Sequence, residues 1–101
     1  MKEFELNLYK DMVDIYKKAE ENCGYKARRF LQIINDKGAL ITAKTLINKD
    51  SNTEGFIALW ENNRLDLSLE ALIVSGKYDE LFTEEEKNIC KYRLRDYGYK
   101  I

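Results

Sequence analysis

YKARRFLQIINDKGALITAKTLI, Tyr25 to Ile47, is an apolar stretch broken once, at Gly38. Ala27, Phe30, Leu31 and Ile34 recur at intervals of three and four, placing them on one face of a helix from about Lys26 to Lys37. Glycine accepts the left-handed backbone that ends helices, so Gly38 reads as the stop. A second helix follows from Ala39 to about Asn48, with Leu40, Ala43, Leu46 and Ile47 inward. Two readings compete: a DNA-reading helix-turn-helix, or a hairpin whose helices hide each other's apolar faces. The first needs a tight turn of about 3–4 residues and a second helix with polar, outward-facing side chains. Here that helix offers Ile41, Thr42, Lys44, Thr45 and Asn48, among which only Lys44 is charged. Bulky Ile34 stands four residues before the glycine, where close packing is required. Moving the motif one helix onward fails because NKDSNTE, Asn48 to Glu54, is too long for the turn. The hairpin is therefore read as structural, at the centre of the core.

The same spacing extends outward in both directions. Phe4, Leu8, Met12, Ile15, Tyr16 and Ala19 form the stripe of a first helix, closed by Asn22, Cys23 and Gly24. Downstream, Ser51-x-x-Glu54 is a capping box opening a helix with Phe56, Leu59 and Trp60. Asn62 and Asn63 break it, Asp66 or Ser68 caps LEALIV, and Ser75-Gly76 ends that helix. Thr83-x-x-Glu86 is a second capping box, with Glu84, Glu85 and Glu86 at the positive end of the dipole. Ile89, Cys90, Leu94 and Tyr97 supply the buried face of this last helix, and Gly98 its stop. Proline, which most strongly forbids helix interiors, is absent. The expectation is an all-α, compact single-domain bundle over residues 1–101, of about six mostly short helices and no sheet.

Composition narrows function. The 101 residues suffice for one core. Hydrophobic residues at 45% and charged residues at 35% suit a folded, soluble chain. A net charge of −1 argues against a dedicated nucleic-acid binder, though it permits a local basic face. Histidine is absent, which removes the commonest general base and metal ligand and every Ser-His or Cys-His pair. Cys23 and Cys90 lack zinc-site spacing and read as small core residues in a reducing cytoplasm, with a Cys23–Cys90 disulfide left open. The opening MKEFELNLYKDM carries too many charges for a signal peptide or membrane span. No cofactor is implied. The chain reads as cytoplasmic.

Three features remain as candidate sites. Arg28 and Arg29 occupy the first turn of the second helix, the unfavourable dipole end for cations. Lys87, Lys91 and Arg95 stand at i, i+4 and i+8 on the last helix, near Tyr92, Arg93, Tyr97, Tyr99 and Lys100. Cations mixed with aromatics suit single-stranded nucleic acid, by phosphate neutralisation and base stacking. The plainer reading is a helix with acids first and bases last, as its dipole prefers. Glu61, Arg64, Asp66 and Glu70 fall at a helix-to-helix corner, where Asp66 and Glu70 would meet across one turn and Arg64 would hold one or both. That corner is an interaction surface, a carboxylate pair for acid–base work, or a weak metal site. The simpler alternative is a cap and a salt bridge. Trp60 reads as core beside Phe56 and Leu59. The seven tyrosines suggest a protein interface if several are exposed.

FLQII (30–34), Gly38, Ala43-Lys44-x-Leu46, GFIALWE (55–61), RLDLSLEAL (64–72) and LFTEEE (81–86) together resemble a group of small all-helical bacterial proteins. Members are sometimes attached to larger chains and are loosely linked to mobile-element and defence genes. The resemblance spans roughly residues 25–99 and leaves the first helix, 1–22, outside it. This chain departs from the group's pattern in lacking proline after Tyr25 and in having Gly38-Ala39 where two glycines are common. The resemblance implies an all-helical module and adds no chemistry. The function expected is non-enzymatic: binding another protein as an accessory or adaptor. The alternative is nucleic-acid binding through Arg28, Arg29, Lys87, Lys91 and Arg95.

Overall fold

The computed structural model describes residues 2–24, 28–48 and 54–100, and every regular element among them is helical. The helices are α1 (Lys2–Cys23), α2 (Arg28–Lys37), α3 (Ala39–Ile47), α4 (Glu54–Glu61), α5 (Leu69–Val74) and α6 (Glu84–Asp96). Single 3₁₀ turns at Leu65–Leu67 and Asp79–Leu81 precede α5 and α6. This is the all-α bundle that the spacing predicts. Its radius of gyration, 12.5 Å, matches the ~13 Å of one 100-residue domain.

At 22 residues, α1 extends for about 33 Å at 1.5 Å per residue, nearly the full 34 Å long axis of the molecule. Leu8, Met12 and Ala19 are fully packed, but the first turn runs past the core and leaves Phe4 and Leu6 exposed. Along its length α1 joins two apolar clusters. One gathers Leu8 and Met12 with Ile34, Ala43, Ile47, Ile73, Tyr78 and Cys90. The other gathers Ala19 with Phe56, Leu59, Leu65 and Leu94.

The hairpin lies at the centre, as expected. Gly38 (φ +88°) turns the chain between α2 and α3. α3 packs against α1, α2 and α6, burying Ala39, Thr42, Ala43, Leu46 and Ile47. Thr42 corrects the surface assignment. It is buried, and its hydroxyl donates to the Gly38 carbonyl at 2.8 Å, so the polar group enters the core with a partner. Packed against three neighbours, α3 leaves Ile41, Thr45 and the cap Asn48 exposed.

The caps follow the sequence. Ser68, rather than Asp66, caps α5, its Oγ accepting from the Ala71 N–H at 3.1 Å. The box at α6 is complete: Glu86 N–H donates to Thr83 Oγ1 (3.1 Å), and Thr83 N–H to Glu86 Oε1 (2.9 Å). Ser51 of the other box, and Ala27 and Tyr25, lie outside the described residues. Both cysteines are free thiols. Cys23 is half-buried beside the second cluster and Cys90 is buried in the first.

Candidate interaction site

The corner of carboxylates does not assemble. Arg64 does hold Asp66 with a two-pronged contact, Nε–Oδ1 3.1 Å and Nη2–Oδ2 3.2 Å, and reaches Asn22 of α1 at 3.4 Å. The guanidinium hydrogen bonds keep the Asp66 carboxyl below its ordinary value. Glu70, by contrast, faces the interior, 4% exposed, against Arg93 of α6 at 3.3 Å. Ser68 ends the 3₁₀ turn and starts α5, so Asp66 and Glu70 belong to different elements rather than to one helical turn. Glu61 is exposed at the end of α4. Asp66 and Glu70 are thus separated into a surface pair and a buried pair.

The buried pair belongs to a polar seam that joins α3, α5 and α6. Arg93 Nη1 also donates to the Leu46 carbonyl at 3.3 Å. Nearby, Glu86 accepts from Lys44 Nζ at 2.7 Å and from Asn48 Nδ2 at 3.1 Å, so one carboxylate serves both the α6 cap and α3. Lys44, expected at the surface, is half-buried by this contact. Burial pushes the Glu70 carboxyl above its ordinary value despite Arg93. Burial also acts to raise Glu86, but Lys44, the Thr83 N–H and Asn48 outweigh it and hold that carboxyl low. The Cys90 thiol, raised to about 12 chiefly by burial and then by Glu70, stays protonated. Glu70 also lines a narrow apolar cleft with Tyr16, Phe30 and Phe56, whose 20 Å³ interior accommodates one water molecule.

The basic row is interrupted. Lys87 Nζ lies 3.2 Å from Glu84 and 3.6 Å from Asp79, which compensates its charge. Lys91 is half-buried and Arg95 exposed. Arg28 and Arg29 are exposed at the start of α2, which packs on α1 and α3, whereas α6 packs on α5 and α3.

An aromatic cleft forms where α4 and α6 end. Trp60, expected in the core, is 45% exposed. It is the last apolar residue of α4, one turn beyond the buried Phe56. Tyr97 inserts between them, edge-on to Phe56 at 5.2 Å and to Trp60 at 5.1 Å. Both helices end in the same way. After α4, Asn63 N–H bonds to the Trp60 carbonyl (3.0 Å) and Arg64 N–H to that of Leu59 (2.7 Å). After α6, Gly98 N–H bonds to the Arg95 carbonyl (3.0 Å) and Tyr99 N–H to that of Leu94 (2.8 Å). This paired pattern requires left-handed backbone at the residue past the cap, and Asn63 (φ +59°) and Gly98 (φ +80°) provide it. Both line an open cleft of about 280 Å³ with Trp60, Asp66, Tyr99 and Lys100. Asn62-Asn63 and Tyr97-Gly98-Tyr99 mark the helix ends in sequence; that those ends converge is a tertiary fact.

The tyrosines divide accordingly. Tyr78 is buried, donating its hydroxyl to Asp11 at 2.6 Å, and burial raises its pKa. Tyr92 is 68% exposed, while Tyr97 and Tyr99 are half-buried at the cleft. Among the described residues no helix is long and apolar enough to cross a membrane, and no cluster of three or more Cys, Asp or Glu side chains is placed to hold a metal. Comparison with protein families, curated proteins and solved structures finds no match, so the site is read from its own chemistry.

Proposed function

We propose that the protein is a non-enzymatic interaction module, an accessory or adaptor, whose contact surface is the Trp60–Tyr97–Tyr99 cleft. The observation that supports it is a tryptophan held nearly half in solvent by a packed frame. Tryptophan and tyrosine dominate the energetic centres of protein interfaces, because they bring large apolar area at little entropic cost. Residues that catalysis would recruit are already engaged: Glu70 by Arg93, Asp66 by Arg64, and Cys90 as a buried neutral thiol. The resemblance of residues 25–99 to small proteins linked with mobile elements and defence suggests a bacterial setting of that kind.

A pull-down with tagged wild-type protein and Trp60→Ala, with and without nuclease, tests the proposal. A protein partner that survives nuclease and is lost with Trp60→Ala supports it. Recovery of nucleic acid, unaffected by Trp60→Ala and abolished by Lys91→Glu with Arg95→Glu, refutes it in favour of the basic face. That alternative has less to draw on, since Lys87 is already paired and Arg28 and Arg29 start a helix packed on a different part of the bundle.

A further inference from the structure

We infer that the cleft between the ends of α4 and α6 receives a cationic side chain, an arginine or lysine of the protein partner. The inference rests on the interaction-module reading and adds the chemistry that the surface selects.

Three observations converge. First, the exposed indole of Trp60 meets Tyr97 at an interplanar angle of 79°, and Tyr99 lines the same opening. That edge-to-face contact occupies one ring face and leaves the exposed part of the indole open to a cation, which is drawn to ring faces, most strongly to tryptophan. Second, Asn63 and Gly98, the first residues past two helix C-termini, both line the cleft. The negative ends of both helix dipoles are therefore gathered there, favouring cations and repelling phosphate. Third, Asp66 lies in the wall, with half of its side chain exposed. Its two contacts with Arg64 and one backbone hydrogen bond leave part of its acceptor capacity free, since a carboxylate offers about four lone-pair sites.

The two helix C-termini and Asp66 disfavour a polyanion, whereas the aromatic rings by themselves would also accept a stacked base. The polar wall of Asn63 and Asp66 also disfavours a purely aliphatic occupant, whose approach would desolvate both without replacing their hydrogen bonds. Among the described residues Lys100 is the cation in the lining, and Arg64 lies behind the wall on Asp66. Lys100 competes with an incoming cation, and for that reason it separates the readings.

Trp60 is the only tryptophan, so its fluorescence reports on the cleft alone. The probes are short Gly-Ser peptides carrying one central Arg, Lys, Leu or Glu, and an oligothymidylate. Each is titrated into the full chain while Trp60 emission and the amide resonances of Asn63 and Gly98 are followed. The Arg and Lys peptides should produce saturable changes at all three positions, and the Leu and Glu peptides and the oligonucleotide should not. Trp60→Leu should weaken Arg-peptide binding about two- to five-fold, followed by the amide resonances. Asp66→Asn should weaken it by a comparable factor that shrinks with added salt. Lys100→Glu, outside every helix, should tighten it. Equal binding of the Leu peptide overturns the inference in favour of an apolar anchor. Oligothymidylate binding that Lys100→Glu abolishes overturns it in favour of nucleic acid. Silence toward every probe overturns it as well. A Trp60-dependent partner in the pull-down would then still support the interaction module, so the two failures are distinguishable.

Discussion

Replacing Arg93 by methionine tests the seam that joins α3, α5 and α6. Glu70 is 4% exposed, and Arg93, 3.3 Å away, is the side chain that satisfies it. Methionine preserves much of the apolar stem and removes the charge. A buried ion pair broken on one side costs about 3–5 kcal/mol, because the remaining charge is left without compensation. At 3.3 Å the contact is longer than an ideal ion-pair hydrogen bond, so a cost near the lower end, about 3 kcal/mol, is expected at neutral pH. That is a large fraction of the ~5–15 kcal/mol that stabilises a domain. Glu70→Leu combined with Arg93→Met removes both charges and should recover most of the loss. Glu70 titrates above its ordinary value because it is buried. Its contribution to stability is therefore full below the unfolded value and lost as pH rises through the folded one. Without Arg93 the folded value rises further, so the cost of Arg93→Met should be larger at neutral pH than at about pH 5. Within that window it changes by up to about 1.4 kcal/mol per pH unit. Urea unfolding followed by far-ultraviolet circular dichroism measures each quantity. A loss below about 1 kcal/mol for Arg93→Met at neutral pH, or a double variant no more stable than the single, would refute a stabilising role for the Glu70–Arg93 pair.

Glu86 has the opposite sign. Its carboxyl is held low, so its contribution is present above the ordinary carboxylate range and lost as pH falls through the depressed value. Glu86→Gln should lower the urea midpoint at neutral pH and converge with wild type in strong acid. Gly98→Ala places a Cβ on left-handed backbone and should cost about 1–2 kcal/mol, whereas Asn63→Gly should be neutral or stabilising; thermal unfolding compares the two. Iodoacetamide should label Cys23 in the native protein and Cys90 only on unfolding, because the latter thiol is fully buried and raised to about 12. Intact-mass spectrometry of native and urea-treated samples shows which cysteine reacts first.

The fold was legible because its signals are local. Gly38, Ser68, the Thr83–Glu86 box and Gly98 each act within one turn of the chain, and the structure uses each for the expected purpose. The site was less legible because partners are chosen across the fold. Arg64 holds Asp66 as anticipated, a pair two residues apart. Glu70 instead finds Arg93, and Lys44 finds Glu86, choices set by helix packing that spacing along the chain does not encode. Trp60 shows the same limit. It continues the apolar face of Phe56 and Leu59, and periodicity alone assigns all three inward. Only the end of α4 at Glu61 and the arrival of Tyr97 from α6 leave its ring at the rim.

That arrangement connects the core to the proposed contact surface. Phe56 is 2% exposed and packs with Leu59, Leu65 and Leu94, so Tyr97, placed edge-on between Phe56 and Trp60, is held from within by the second apolar cluster. The two matching helix ends fix the backbone on either side of the opening. Its aromatic walls are therefore set before a partner arrives. An exposed cation–π contact is worth only about 0.5–1 kcal/mol, and ordering one mobile side chain at an interface costs about as much. On loosely held aromatics the two would cancel. A frame anchored by Phe56 avoids most of that cost, so even a weak attraction for a cationic side chain can persist as selectivity.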